Sequence, residues 1–558
     1  MTLAAALSRL APFALAGLSG CAAPPDARPA DLVVFGRVWT GDSARPWAGA
    51  VASRGDTIVA VGDSAKVAAL VGPTTNVLAN GRAMVVPGMM DGHTHFIDGG
   101  LQLASVDLRS SRTPAEFVAR LKAFALERRP GEWIVGGDWD HENWPGTPLP
   151  RREWIDSVAP DNPVFVSRLD GHMALANSLA LAKAGIGRGT KDIPGGVIVR
   201  DKRSGEPTGI LKDAAMEPVY ATVPPPTDAQ RDAALRRAMA YAASKGVTAT
   251  AHVSAPFGDL GAYLRAKRKG ELTVRVALYF PLESWKQVSD TIAALGRGDD
   301  WVWIGGVKAY MDGSLGSTTA LFYQPYLDDP ATSGVLTTPE DSLRRWIGAA
   351  DSVGLQVAVH AIGERANGLL LDILDSVASA HRPRDRRFRI EHAQHLRRQD
   401  IDRIARTGVI ASMQPYHLPD DGRWAGKRIG PERIKTTYAF RSLLDRHAHL
   451  AFGSDWNVAP IDPILGIYAA VTRHTLDGKH PQGWVPEEKI SVEEALKAYT
   501  AGDAYGVFAE GTRGKLIPGY RADLVLLDKD LTMIPPETID RVTVRTTVVG
   551  GRVVFSAP

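Results

Sequence analysis

Met84-Val-Val-Pro-Gly-Met-Met-Asp-Gly-His-Thr-His95 joins an apolar run, a Pro-Gly turn and two histidines two residues apart. Along a strand, residues two apart point to the same side. His93 and His95 therefore leave one strand end together, at a spacing that can grip one metal ion. Imidazole is the commonest ligand for zinc and its neighbours. A lone His-x-His also occurs by chance on surfaces. Here more ligand-type residues follow at the ends of later apolar runs, so the pair is read as the first part of a metal centre.

Working outward, short apolar runs alternate with helical patterns, which favours a parallel β/α arrangement. Nine runs qualify as strands: around Val86, Val164–Val166, Val247–Thr250, Arg275–Tyr279, Gly306–Tyr310, Gln356–Val359, Phe388–Ile390, Val409–Ser412 and Leu450–Phe452. A (β/α)8 barrel needs eight. The stretch of about 101–228 is too long for one crossover and rich in Trp, Pro and Gly, so Val164–Val166 is assigned to an inserted subdomain. The fold class expected is α/β: a TIM-like (β/α)8 barrel over 87–506. Ser491 and Glu494 form a capping box at the start of the last barrel helix.

Residues 31–86 and 507–558 contain alternating apolar segments broken by turn residues, such as Leu32–Phe35 and Ala522–Asp528. Neither end has enough apolar surface for its own core. They are expected to pair into one small β-sandwich. The chain of 558 residues exceeds the usual single-domain size, and its 44% hydrophobic and 23% charged content is that of an ordinary globular protein. With a formal net charge of +3 and no basic stripe, nucleic acid is not an expected partner. Cys21 is the only cysteine, so no intrachain disulfide forms. Arg9, the apolar run Leu10–Leu18 and Leu18-Ser-Gly-Cys21 read as a lipoprotein-type signal peptide over 1–21, with a Pro- and Ala-rich tether over 22–30. Leu-Ser-Gly-Cys resembles the lipobox of bacterial lipoproteins. The expectation is an exported protein anchored to a membrane by lipid at Cys21, facing the periplasm or exterior. The competing reading is a plain cleaved signal ending near Ala22-Ala23.

Polar residues fall where such barrels place chemistry, at the C-terminal strand ends. Strand four carries Lys308, strand five ends at His360, strand six at His392 and strand eight at Asp455. Each has a bland reading. His360 and His392 could be satisfied, half-buried histidines, and Asp455 could cap a helix. Lys308 would need a carboxylate partner, because burying an unpaired ammonium is expensive. Six such residues on one barrel face are read jointly as a site. His172 and His252 are candidate donors to a substrate carbonyl. Asp312 either positions substrate or shapes its turn. Trp139, with Trp133 and Trp144, either lines an apolar pocket or forms the core of the insertion.

The chain resembles the amidohydrolase superfamily of metal-dependent hydrolases, specifically its amidohydrolase 3 family. The resemblance rests on Val86-Pro-Gly-Met-Met-Asp-Gly-His-Thr-His95, Val307-Lys-Ala-Tyr-Met-Asp-Gly-Ser314, Val359-His-Ala-Ile-Gly363, Arg389-Ile-Glu-His-Ala-Gln394, Phe452-Gly-Ser-Asp455, Glu494-Ala-Leu496 and Gly519-Tyr-Arg-Ala-Asp-Leu-Val525. It implies that His93, His95 and Asp455 bind one metal, that His360 and His392 bind a second, and that a carbamylated Lys308 bridges them. With Lys308 unmodified, a single-metal site remains. Zinc suits the nitrogen-rich set, with manganese, iron or nickel as alternatives. The implied reaction is hydrolysis of non-peptide carbon–nitrogen bonds, in N-acyl or N-formyl amines, by metal-activated hydroxide. Asp455 is the implied general base and acid, and His172 the preferred carbonyl donor. Two other readings stay open: lactone hydrolysis or isomerisation at the same metal site, and a non-catalytic lipoprotein that binds a small molecule. The expected partner is a small-molecule substrate, with membrane contact only through Cys21 and a homo-oligomer as one allowed assembly.

Overall fold

The computed structural model describes residues 28–558. Cys21, the signal segment and most of the tether lie outside the described residues. No helix among the described residues is long and apolar enough to cross a membrane.

Eight parallel strands form the central sheet: Met89–Thr94 (β1), Val247–His252 (β2), Arg275–Pro281 (β3), Val302–Tyr310 (β4), Gln356–Ala361 (β5), Arg389–His392 (β6), Ile410–Met413 (β7) and Leu450–Phe452 (β8). They neighbour one another in chain order, and a bridge between Thr94 and Trp456 brings the first and last together. This is a (β/α)8 barrel. Strands β1, β2, β5, β6, β7 and β8 are buried along their whole length. Parallel strands covered on both faces read as continuous apolar runs, which is why the runs were visible in sequence.

One strand was misplaced. The run around Val86 is the end of a long outer strand, Asn76–Pro87, and the first barrel strand starts after it, at Met89. Proline has no N–H to continue a ladder. Gly88 then passes so close to β2 that a Cβ there would lie 2.3 Å from Thr248 Oγ1. The chain changes sheets at this Pro-Gly pair.

Strands from both chain ends pair into a seven-stranded sheet, in the order Arg552–Ser556, Val544–Val549, Leu524–Leu527, Asn76–Pro87, Leu32–Trp39, Trp47–Arg54, Thr57–Gly62. Val164–Arg168 lies in a separate five-stranded sheet with Ile134–Trp139, Met173–Ala176, Gly196–Arg200 and Pro207–Asp213. All five strands fall between barrel strands β1 and β2. The Ser491–Glu494 capping box is present in both directions and opens the helix Val492–Lys497.

A buried ion pair ties the terminal sheet to the barrel. Arg275, at the start of β3, donates from Nε to Asp523 Oδ2 at 2.7 Å and from Nη2 to Oδ1 at 3.0 Å. Arg275 is fully buried. Removing one member of such a pair leaves an uncompensated charge. Asp523→Ala should therefore destabilise the protein by about 3–5 kcal/mol, measured as a lowered urea midpoint. A change below 1 kcal/mol would show that the pair does not couple the two units.

Candidate metal centre

At the C-terminal rim of the barrel, Asp455 sits among imidazoles. Its Oδ1 lies 3.4 Å from Nε2 of His93 and 3.4 Å from Nε2 of His95. Its Oδ2 lies 4.0 Å from Nε2 of His392 and 4.0 Å from Nε2 of His417. Ring centroids are 5.0 Å apart for His93 and His392, and 4.5 Å for His360 and His392. The rings of His93, His392 and His360 thus lie side by side at the rim, with His93 and His392 each in a group with Asp455 that could hold a metal ion and His360 in neither group.

Backbone conformation aims these groups. In β6, Arg389 and Glu391 alternate into the barrel, so His392 would by alternation face the other way. The strand ends there, and His392 takes φ +74°, which turns its ring into the site. Asp455 takes φ +60°. Left-handed conformations are uncommon outside glycine, although Asp and His are enriched among the exceptions. At the end of β8, a Cβ on Gly453 would lie 2.6 Å from His93 N, so only glycine lets this strand end against β1.

Beneath the rim, a charged layer holds His93. Its Nδ1 meets Glu391 Oε2 at 2.6 Å, and Glu391 in turn accepts from Arg389 Nε at 2.7 Å. Arg389 also donates to the Gly92 carbonyl at 2.6 Å and to Ser412 Oγ at 2.9 Å. Burial alone would push the Glu391 carboxyl up, but Arg389 and then His93 outweigh it and hold it well below the usual carboxylate range. A carboxylate on Nδ1 fixes the tautomer that leaves Nε2 as the ligand atom.

The imidazoles are kept neutral, as metal binding needs. Burial and then the nearby Lys308 ammonium lower His93 to about 4. Burial followed by His172 and Lys308 puts His360 well below its ordinary value, and burial followed by His360 does so for His392. Nε2 of His360 donates to the Gly313 carbonyl at 3.1 Å, which leaves Nδ1 with a free lone pair.

The donor set fits a divalent cation. His93 Nε2, His392 Nδ1, His417 Nε2 and Lys308 Nζ are buried with no hydrogen-bond partner. Buried polar atoms without partners are rare and costly. Lys308 is 1% exposed, and its Nζ rests 4.3 Å from the Tyr310 ring centroid with no hydrogen-bond partner among the described residues. The bland reading of that lysine required such a partner.

Two cavities meet at this rim. One of about 330 Å³ is lined on the far side by Arg109, Tyr416, Asp420, Asp421 and Trp424. The other, of about 720 Å³, is bordered by His93, His95, Lys308 and Tyr310. His172, from the insertion, borders both. Its Nδ1 meets Asp213 Oδ1 at 2.7 Å, and its ring centroid is 4.9 Å from that of His360.

Of three residues offered as substrate contacts, Asp312 and Trp139 take the second of their two readings and His252 lies away from both cavities. Asp312 is buried behind the wall and accepts from the backbone N–H groups of Leu321 at 2.7 Å, Ile362 at 3.0 Å and Gly363 at 2.8 Å, so it shapes the loops. His252 is buried against Tyr263 and borders neither cavity. Trp139 donates to the Val166 carbonyl at 2.8 Å within the core of the insertion. Residue type alone cannot say on which side of a wall a side chain falls. Sequence reasoning missed His417 and Glu391. Glu391 stood in the quoted Arg389-Ile-Glu-His motif, where period-2 alternation could have marked it as inward-facing. His417 follows Gln-Pro-Tyr at the start of a five-residue helix, His417–Asp421, too short for any periodicity to announce a role.

Residues 79–555 match the amidohydrolase family. The chain belongs to that family. It is 43% identical over 517 residues to Protein LONG AFTER FAR-RED 3 of Arabidopsis thaliana, covering 90% of this chain and 88% of that protein. It is 32% identical to the putative amidohydrolase YtcJ of Bacillus subtilis, covering 87% and 91%. To the N-substituted formamide deformylase of Arthrobacter pascens it is 27% identical, covering 89% and 93%. Among solved structures, an uncharacterized metal-dependent hydrolase from Pyrococcus horikoshii superposes with a TM-score of 0.73 at 29% identity, covering 90% of this chain and 99% of that one. The chain is thus a hydrolase of a metal-dependent family, and its His and Asp groups at the rim can hold a metal ion.

Because Glu391 orients His93, Glu391→Gln should weaken metal affinity about 10–100-fold, read by competition with a chromophoric chelator. Unchanged affinity would remove Glu391 from the centre.

Proposed function

We propose that this chain hydrolyses non-peptide carbon–nitrogen bonds in N-acyl or N-formyl amines, with one or two divalent ions, zinc first among them, at the Asp455 rim. The observation that carries the reading is the convergence of unpartnered imidazole nitrogens on one buried carboxylate. The likeness to the Arthrobacter pascens deformylase of N-substituted formamides supports the substrate class. A divalent ion bound there would lower the pKa of water toward neutrality and act as a Lewis acid.

The chain's own residues divide the remaining work. Burial penalises a charge on Asp455, but His93 and the hydrogen-bonding ring of His95 outweigh that penalty and keep the carboxyl ionised. Asp455 therefore orients the attacking water, accepts its proton and returns it to the leaving nitrogen. His172, held through Nδ1 by Asp213 and bordering both cavities, keeps its other ring nitrogen to donate to the carbonyl oxygen of the substrate. Lys308 takes up carbon dioxide: its neutral amine bonds to the carbon and loses a proton. The carbamate replaces a costly buried cation with an anionic oxygen ligand.

Hydrolysis of a panel of N-formyl and N-acyl amines should vanish on chelation and return with zinc. Turnover that survives complete metal removal would end the proposal. Asp455→Asn should lower kcat by about 10²–10⁴-fold, and His172→Ala by about 10²–10³-fold with metal content unchanged. Retained activity in either variant would remove the role assigned to that residue. Intact-mass measurement should show one added carbon dioxide on the wild type and none on Lys308→Ala. That variant should also lose metal, partly regained with short carboxylic acids, and unchanged metal content would remove Lys308 from the ligand set.

A further inference from the structure

We propose that Asp455 bridges two metal positions and that His417, the first residue of the short helix after β7, completes the second. This rests on the reading that the rim binds divalent metal. The two oxygens of Asp455 face different histidine pairs: Oδ1 faces His93 and His95, and Oδ2 faces His392 and His417. In each trio, one ligand atom per residue lies within 4.8 Å of the other two. Donors on a tetrahedral zinc with bonds of about 2.0–2.1 Å stand about 3.3 Å apart. Small side-chain rotations therefore close either trio around an ion.

Independent observations single out His417. Its Nε2 is buried without a hydrogen-bond partner among the described residues. It stacks on His392 with centroids 6.1 Å apart and planes 21° apart. A shared cation would satisfy both this unpaired ring nitrogen and the Asp455 oxygen 4.0 Å from it.

The two trios also face different cavities. His93 and His95 border only the larger one and His417 only the smaller, whereas His392 and Asp455 border both. Lys308 borders the larger alone, so the position at His417 stands apart from the lysine. The second ion is placed at the mouth of the 330 Å³ cavity, against the chamber lined by Tyr416 and Trp424. His392 shares it with the histidine that opens the helix after β7 instead of with Lys308.

The test is zinc stoichiometry on the full protein, together with anomalous diffraction at the zinc edge on the wild-type holoprotein, which needs no variant to fold. Two ions are expected per chain, one within bonding distance of His417 Nε2. His417→Ala should keep only the ion at His93 and His95, and Lys308→Ala should still show the ion at His417. A wild-type crystal with no peak near His417, or a His417→Ala protein that keeps both ions, overturns the inference. An ion found only at His93 and His95 sinks this inference but leaves the proposed function standing. A wild type that binds no zinc sinks both.

Discussion

A buried carboxylate ringed by neutral imidazoles, with ring nitrogens left unpaired, is the constraint around which this molecule is arranged. Protein interiors rarely leave such atoms without partners. Here His93, His392 and His417 do so around Asp455, and Lys308 adds an ammonium with no hydrogen-bond partner among the described residues. An arrangement that is unfavourable as a set of side chains becomes favourable when a cation is shared. The stability forgone at the rim is what makes it a ligand cage.

The rest of the structure holds that cage in place. Barrel strands bring residues from His93 to Asp455 to one rim, and the Arg389–Glu391 layer below fixes the tautomer of His93. Left-handed conformations at His392 and Asp455 re-aim side chains that strand alternation would have sent elsewhere. Strain of this sort persists only where surrounding structure over-determines it. The close contact of Gly453 with His93 and the buried Arg275–Asp523 pair show how tightly the last strand and the terminal sheet grip the barrel. The insertion contributes differently. Its five-stranded sheet has its own core, yet it brings His172 to the boundary between two cavities. A barrel rim with a fixed set of ligand-type side chains can thereby meet different substrates through what the insertion places over it.

The residues by themselves determined the barrel and most of the rim. Parallel strands buried on both faces leave continuous apolar runs, and ligand-type residues at the ends of those runs can be picked out one strand at a time. His93, His95, Lys308, His360, His392 and Asp455 were legible for that reason. Tertiary structure alone decided the first strand's true start, because Pro87 and Gly88 pass the chain between two sheets that both read as apolar. It alone turned Asp312 into a loop anchor and withdrew Trp139 and His252 from the cavity, since which side of a wall a residue occupies depends on long-range packing. It alone brought His417 to Asp455. A histidine that opens a five-residue helix carries no periodic signal, and only the closing of the barrel decides what such a helix end will face.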